Sequence, residues 1–286
     1  YLSWRFVETP TRHRREKPRR HVMYGLATAT ATACLAFIVV VNTGFPSRIP
    51  EQVRALGNQD DMMAFDCTEE IRLPGANKRK RCIVGAPWAT ASKRAVIWGD
   101  SHARHLMPIL DIPARQQNLS IALWSGCPPF IDNESIQRER LNTPKYSESC
   151  ARSRRAFLDW LAKAQGIDLV ILSNAWAIYP ESLFVGGVMD RSRPEEAMRR
   201  IDENLRSTLA EINPERHNVL IVGDIPRPGF NVPDCALQSA AGLWRKPCKK
   251  FRDFFTEDPR PIETVLASLA NGTDQVYFVD TLKKMC

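Results

Sequence analysis

A chain of 286 residues that is 44% hydrophobic is long enough for one large or two small domains with a sizeable buried core. Its net charge of +8 is uneven: Tyr1 to His21 carries seven Lys/Arg against Glu8 and Glu16, so +5 sits there and +3 on everything after it. A basic run of this kind suits nucleic acid, but the segment that follows excludes that reading.

Val22–Val41 (VMYGLATATATACLAFIVVV) is 20 residues without a charge. As a helix at about 1.5 Å per residue it spans roughly 30 Å, the thickness of a bilayer core. Its threonines can bond back to helix carbonyls and so do not prevent insertion. A secretory signal peptide is the competing reading; its apolar region is usually shorter, and no small-residue cleavage site is evident after Val41. A spanning helix is therefore expected over 22–41, with the arginines of 1–21 on the cytoplasmic side and everything after about Asn42 outside.

Residues 42–92 hold no long periodic segment and read as an exported linker with a disulfide-closed loop. From Lys93 the texture changes. Ala95–Trp98, Ser120–Trp124, Leu169–Leu172, Val219–Val222 and Val276–Val279 are short apolar runs rich in β-branched residues, suited to strands buried on both faces of a parallel sheet. Between them Phe157, Trp160, Leu161 and Ala164 recur at helical spacing, as do Met198, Ile201, Leu205, Leu209 and Ile212. Ser192 is a candidate cap for the second helix, with Pro194 and acidic residues in its first turn, and Gly166 and Pro214 end the two helices. The alternation predicts a three-layer α/β domain over 93–286.

The cysteines agree with an oxidising compartment. Cys34 lies in the apolar helix, and six of the others fall into neighbouring pairs: Cys67 with Cys82, Cys127 with Cys150, Cys235 with Cys248. None forms C-x-x-C, so no metal site is expected, and three local disulfides are the preferred reading, although spacing alone does not fix connectivity. Cys286 is left over, and both ends of the sequence look cut, which suggests a fragment.

The sharpest feature is Ala95-Val-Ile-Trp-Gly-Asp-Ser-His102, a strand leading into Gly-Asp-Ser-His and then a helix. Ser101 is thus placed at the carboxyl end of the first strand and at a helix amino terminus, where free N–H groups favour an adjacent oxyanion. The plainer alternative is that Asp100 or Ser101 only caps the helix. Gly126 follows the second strand and Asn174 the third, so both reach the same sheet edge as Ser101, where a glycine N–H and an asparagine amide suit an oxyanion hole. Asp100, His102 and Trp176 are candidate substrate-binding residues, Trp176 as a platform for a sugar ring. Trp124 and Trp244 are weaker candidates for that role.

These residues carry a resemblance. Gly-Asp-Ser near the domain start, with a glycine and an asparagine after successive strands, resembles the SGNH (GDSL-type) hydrolases, whose sheet is flavodoxin-like. Trp98-Gly-Asp-Ser-His-Ala103, Cys127 after Gly126, and Val222-Gly-Asp-Ile-Pro with Val232-Pro-Asp-Cys235 resemble more narrowly the SGNH domain fused behind a bacterial acyltransferase-3 membrane domain. Tyr1-Leu-Ser-Trp-Arg-Phe-Val-Glu-Thr-Pro10 is similar to the end of that membrane domain.

The resemblance implies an O-acyltransferase of the O-antigen or polysaccharide type, with Ser101 as nucleophile and Gly126 and Asn174 in the oxyanion hole. It implies acetyl-CoA as donor to the membrane domain, no cofactor held by this chain, and a polysaccharide or lipid-linked glycan as acceptor. It also implies a histidine base in an Asp-x-x-His block after the last strand, which this sequence does not include, so the chain is expected to be catalytically incomplete. His102 directly follows Ser101 and is read as shaping the turn. His105 lies one helical turn beyond Ser101 and could approach it as a weaker alternative base, and His217 is placed at the opposite end of the sheet. A carbohydrate esterase and a non-catalytic glycan-positioning module are the alternatives.

Overall fold

The computed structural model describes residues 4–5, 18–42, 44–45, 47, 50–51, 65–130, 144–180, 183–185, 188–190, 194–224, 235, 238–239 and 261–285. Helix α1 (Pro18–Val41) contains the charge-free stretch Val22–Val41, none of which is buried against the rest of the chain. Thr28 Oγ1 donates to the carbonyls of Tyr24 and Gly25 at 2.9 and 3.0 Å, and Thr32 Oγ1 to Thr28 at 2.9 Å. Thr28 and Thr32 therefore satisfy their hydroxyls within the helix. An apolar helix of this kind is long enough for a membrane anchor and equally for a signal sequence.

The rest is built on one seven-stranded sheet. In chain order its strands are β1 (Glu69–Ile71), β2 (Arg81–Gly85), β3 (Lys93–Gly99), β4 (Leu119–Ser125), β5 (Leu169–Ser173), β8 (Asn218–Val222) and β9 (Val276–Val279), with a separate hairpin β6 (Leu183–Val185) and β7 (Val188–Asp190). The spatial order is β1-β2-β4-β3-β5-β8-β9. From β4 to β9 all pairings are parallel, and β2 and β1 are added antiparallel at one edge.

All five predicted strands form, each extended by at most two residues at either end. Their alternation serves both faces. Ala95, Ile97, Ile121 and Leu123 pack with Ala103, Leu106 and Met107 of α2 (Ser101–Gln116). Val96, Trp98, Ala122 and Trp124 pack on the other face with α3 (Pro144–Leu161), α4 (Pro194–Ile212) and α5 (Pro261–Asn271). Short helix α6 (Thr281–Met285) follows β9. The three-layer α/β arrangement is the expected one. Helix α4 begins at Pro194 with Glu195 and Glu196 in its first turn, and Gly166 takes φ +68° beyond α3. Ser192 lies outside the described residues.

One boundary needs correcting. Residues 42–92 are not all linker, because β1 and β2 belong to the same sheet, and Ile83 and Val84 of β2 are fully buried. Short strands with glutamates or arginine at their ends give little periodic signal. The Cys67–Cys82 disulfide, S–S 2.04 Å, fastens the segment before β1 to β2.

Omitting the antiparallel edge, the order β4-β3-β5-β8-β9 reads second-first-third-fourth-fifth along the chain. The direction of winding reverses between β3 and β5, and open α/β sheets bind ligands at that reversal, outside the carboxyl ends of the strands. Ser101 follows β3 and Asn174 follows β5, so the topology brings together the two residues singled out from sequence.

Candidate active site

Asp100 caps α2 from an extended conformation (φ −83°, ψ −150°), its carboxylate accepting from the His102 N–H at 2.9 Å. Ser101 is then the first helical residue, half-buried, with no hydrogen bond from its hydroxyl to a described residue. Gly99 is demanded by space: a Cβ there would lie 1.7 Å from the Ser173 carbonyl oxygen. The Gly99–Ser101 turn and the end of β5 thus touch backbone to backbone.

Above that contact the two loops grip each other. The Asp100 N–H donates to Asn174 Oδ1 at 3.0 Å, and the Asp100 carboxylate accepts from the Ala175 N–H at 3.1 Å and from the Tyr179 hydroxyl at 3.0 Å. Asp100, Asn174 and Tyr179 are all buried. Bonds to an ionised acceptor contribute about 1.5–3 kcal/mol each, so the grip is rigid. It also sets the amide's orientation, because an oxygen must face the Asp100 N–H. Asn174 Nδ2 is left pointing elsewhere, buried and without a partner among the described residues. An unsatisfied buried donor costs about 1–3 kcal/mol, and a developing oxyanion is one group that would satisfy it.

Gly126 adopts φ +121°, a conformation that favours glycine, with open space where a Cβ would stand. Its N–H donates to the Gly99 carbonyl at 2.9 Å. In this structure it braces the loop after β4 against the Gly99–Ser101 turn, so of the two expected oxyanion donors Asn174 is the open one. The loop is further held by the Cys127–Cys150 disulfide, S–S 2.07 Å, which ties it to α3. Cys235 is also disulfide-bonded; Cys248, its expected partner, and Cys286 lie outside the described residues.

His102 turns toward Asp224, at the end of β8. Its Nδ1 lies 3.3 Å from Asp224 Oδ1, within ion-pair range but too poorly aligned for a hydrogen bond. Asp224 is fully buried; its other carboxylate oxygen accepts from the Ala177 N–H at 2.9 Å, and its carbonyl accepts from the Thr281 hydroxyl. This aspartate therefore joins the loops after β5, β8 and β9. The His105 ring lies 5.6 Å from that of His102, tilted by 40°, and burial, then the neighbouring His102, pushes its pKa below the ordinary 6.5. His217 lies where the sequence put it, buried at the opposite sheet edge, with Nδ1 2.7 Å from the Ile167 carbonyl.

Two expected substrate contacts are overturned. Trp176 is completely buried, its Nε1 donating to the Val222 carbonyl at 2.7 Å and its ring stacked on Phe130. It offers no face to a sugar. Asp100 is 3% exposed and spends its carboxylate on protein donors, so it is a brace for the site and not a substrate contact. Trp124 is buried as well, and Trp244 lies outside the described residues. Sequence reasoning gave no role to Tyr179, Asp224 or Thr281, although Asp224 lies in the Val222-Gly-Asp-Ile-Pro stretch that carries the resemblance and follows a strand as Asn174 does.

A serine at a helix start, an open amide donor, and a 2-1-3-4-5 parallel sheet define a hydrolase-like or acyltransferase-like α/β domain. Residues 66–286 match the model of the family described as SGNH domain (fused to AT3 domains), and the chain belongs to that family. No curated protein matches the sequence.

Proposed function

We propose that the chain is the exported part of an O-acyltransferase that modifies a cell-surface or cell-wall polysaccharide through an acyl-Ser101 intermediate. The observation that carries the reading is Asn174 Nδ2, a buried donor without a partner, fixed beside the turn that presents Ser101. Ser101 Oγ attacks the acyl carbonyl, Asn174 stabilises the resulting oxyanion, and collapse expels the donor's leaving group. A sugar hydroxyl then attacks the acyl-serine and restores the Ser101 hydroxyl. Gly126 joins as a second donor if its N–H turns from the Gly99 carbonyl.

The serine's proton requires a base. On the family resemblance that base is a histidine in the Asp-x-x-His block after the last strand. His102 does not take its place, since consecutive residues of a helix do not face each other. The family description, with its fused acyltransferase-3 domain, supports transfer over hydrolysis. Acetyl-CoA is then the donor to the membrane domain, and a glycan free or lipid-linked is the acceptor. The exposed apolar α1 and the two disulfides support an anchor in the bacterial inner membrane with the domain outside it.

The test is Ser101→Ala in the full-length protein in cells, reading acyl groups on the surface polysaccharide. Acylation should vanish while protein level and membrane location persist. Acylation at the wild-type level would instead favour a module that only positions glycan.

A further inference from the structure

The hairpin joining β1 to β2 carries Arg72, Lys78, Arg79, Lys80 and Arg81 with no acidic residue among positions 72–81. The first four are exposed, and none of the five makes an ion pair with a described residue. Because β2 runs antiparallel to β4, with Ile83 opposite Ala122 and Gly85 opposite Ser120, the hairpin tip lies at the carboxyl end of β4, the edge that holds Gly126 and Ser101. Strands are spaced about 4.8 Å apart, so β2 stands roughly 10 Å from β3 across this edge.

Arg81 separates this run from an ordinary solvated loop. It is 5% exposed, yet its guanidinium meets no carboxylate. It lies 3.7 Å over the Trp124 ring, Nη2 reaches Asn77 Oδ1 at 3.3 Å, and Nε is buried without a partner. Burial, with Arg79 adding, pushes its pKa down to about 10. A buried cation is normally matched by an anion, and here no described residue supplies the matching charge. The Cys67–Cys82 disulfide holds the base of the hairpin, so the cations are presented on a fixed support.

We infer that the basic hairpin 72–81 is the binding surface for the acceptor, and that the acceptor is an anionic glycan carrying carboxylate or phosphate groups. This rests on the acyltransferase reading for the word acceptor, but the binding itself does not. A polyanion laid along the strand ends from β2 to β3 would meet the exposed lysines and arginines first and Arg81 beside Trp124 next. Ser101 would then face a hydroxyl a short distance along the same strand of sugar.

The experiment measures equilibrium binding of the whole chain, in detergent, to polygalacturonate, to neutral dextran, and to vesicles of phosphatidylcholine with phosphatidylglycerol. The triple variant Lys78→Ala/Arg79→Ala/Lys80→Ala alters exposed side chains only, and circular dichroism checks its fold. It should bind polygalacturonate at least tenfold more weakly, with a salt dependence shallower by about two to three counterions, while dextran binds neither protein. Arg81→Gln, if folded, should weaken binding further when added to the triple. Equal affinity of wild type and triple variant overturns the inference, as does dextran binding equal to that of polygalacturonate. Loss of vesicle binding with polygalacturonate binding intact also overturns it and assigns the hairpin to the bilayer. No turnover is read, so a failure here is separate from a failure of the Ser101→Ala test.

Discussion

The two ends of the same sheet treat their polar side chains differently. At the amino end every group named is matched: the Arg94 N–H donates to Asp168 Oδ2 at 2.8 Å, Arg94 Nε to the Trp88 carbonyl at 2.8 Å, and Arg216 to the carbonyls of Ala162 and Ala164 at 2.7 Å. His217 meets the Ile167 carbonyl. At the carboxyl end Asn174 Nδ2 and Arg81 Nε are buried without partners, and His102 faces Asp224 out of alignment. Native proteins leave few buried polar atoms unpaired. Ser120 Oγ at the amino end is also buried with no partner among the described residues, but Asn174 Nδ2 and Arg81 Nε lie on the edge that holds Ser101, where such bonding capacity can serve a ligand. The amino end holds the sheet together, and the carboxyl end holds groups in readiness.

The sharpest way to break that comparison is to remove the open donor. Asn174→Ala should lower kcat for acyl transfer by about 10²–10³-fold, the usual cost of losing one oxyanion donor. It should also lose about 1–3 kcal/mol of stability, because the Asp100 N–H loses its acceptor. A rate close to wild type, measured on folded protein, would mean that Nδ2 is merely an unsatisfied atom. The next effect separates brace from donor. Tyr179→Phe deletes one bond to the buried Asp100 carboxylate while keeping the ring against Phe130, 4.8 Å away edge-on. Stability to urea should fall by about 1.5–3 kcal/mol, and kcat should fall by less than in Asn174→Ala. A larger kcat loss in Tyr179→Phe would place the chemistry on the wrong side of the clamp.

Most of the sheet was legible because its five central strands are runs of β-branched residues at helix-interrupted intervals, and burial on both faces leaves such runs unbroken. The same logic hid β1 and β2: Glu69-Glu70-Ile71 at a sheet edge has no apolar run to display. Site positions were legible wherever a residue follows a strand directly, as Ser101, Gly126 and Asn174 do. Contacts between loops were not, since which side of a turn faces inward is a tertiary matter. Trp176 shows this best. Two residues past Asn174 it suggested a sugar platform, yet the short 3₁₀ turn Trp176–Ile178 rolls it under the loop and onto Phe130. The motif holding Asp224 was legible but its role was not, as its partners His102, Ala177 and Thr281 come from three distant parts of the chain.

The smallest effect is a pH dependence to which His217 at the amino end contributes. Burial, with Arg216 nearby, pushes the His217 pKa below 6.5, although the Ile167 carbonyl and the Asp168 charge act the other way. A histidine held neutral in the folded state binds fewer protons than the unfolded chain once pH drops below about 6.5, so its stabilising contribution is complete above that value and is lost as pH falls toward the depressed folded value. His105 shifts in the same direction, so wild type alone cannot assign the slope. Urea midpoints at pH 7.5 and 5.5 should fall on acidification in wild type and fall less in His217→Gln. A steeper fall in the variant would mean that the folded state gains a proton at His217. Five paired residues of strand, roughly 15 Å at about 3.3 Å each, separate this histidine from Ser101. His217→Gln should therefore leave kcat unchanged at any pH where the chain stays folded, and a matching loss of rate would show that the two ends are coupled through the sheet.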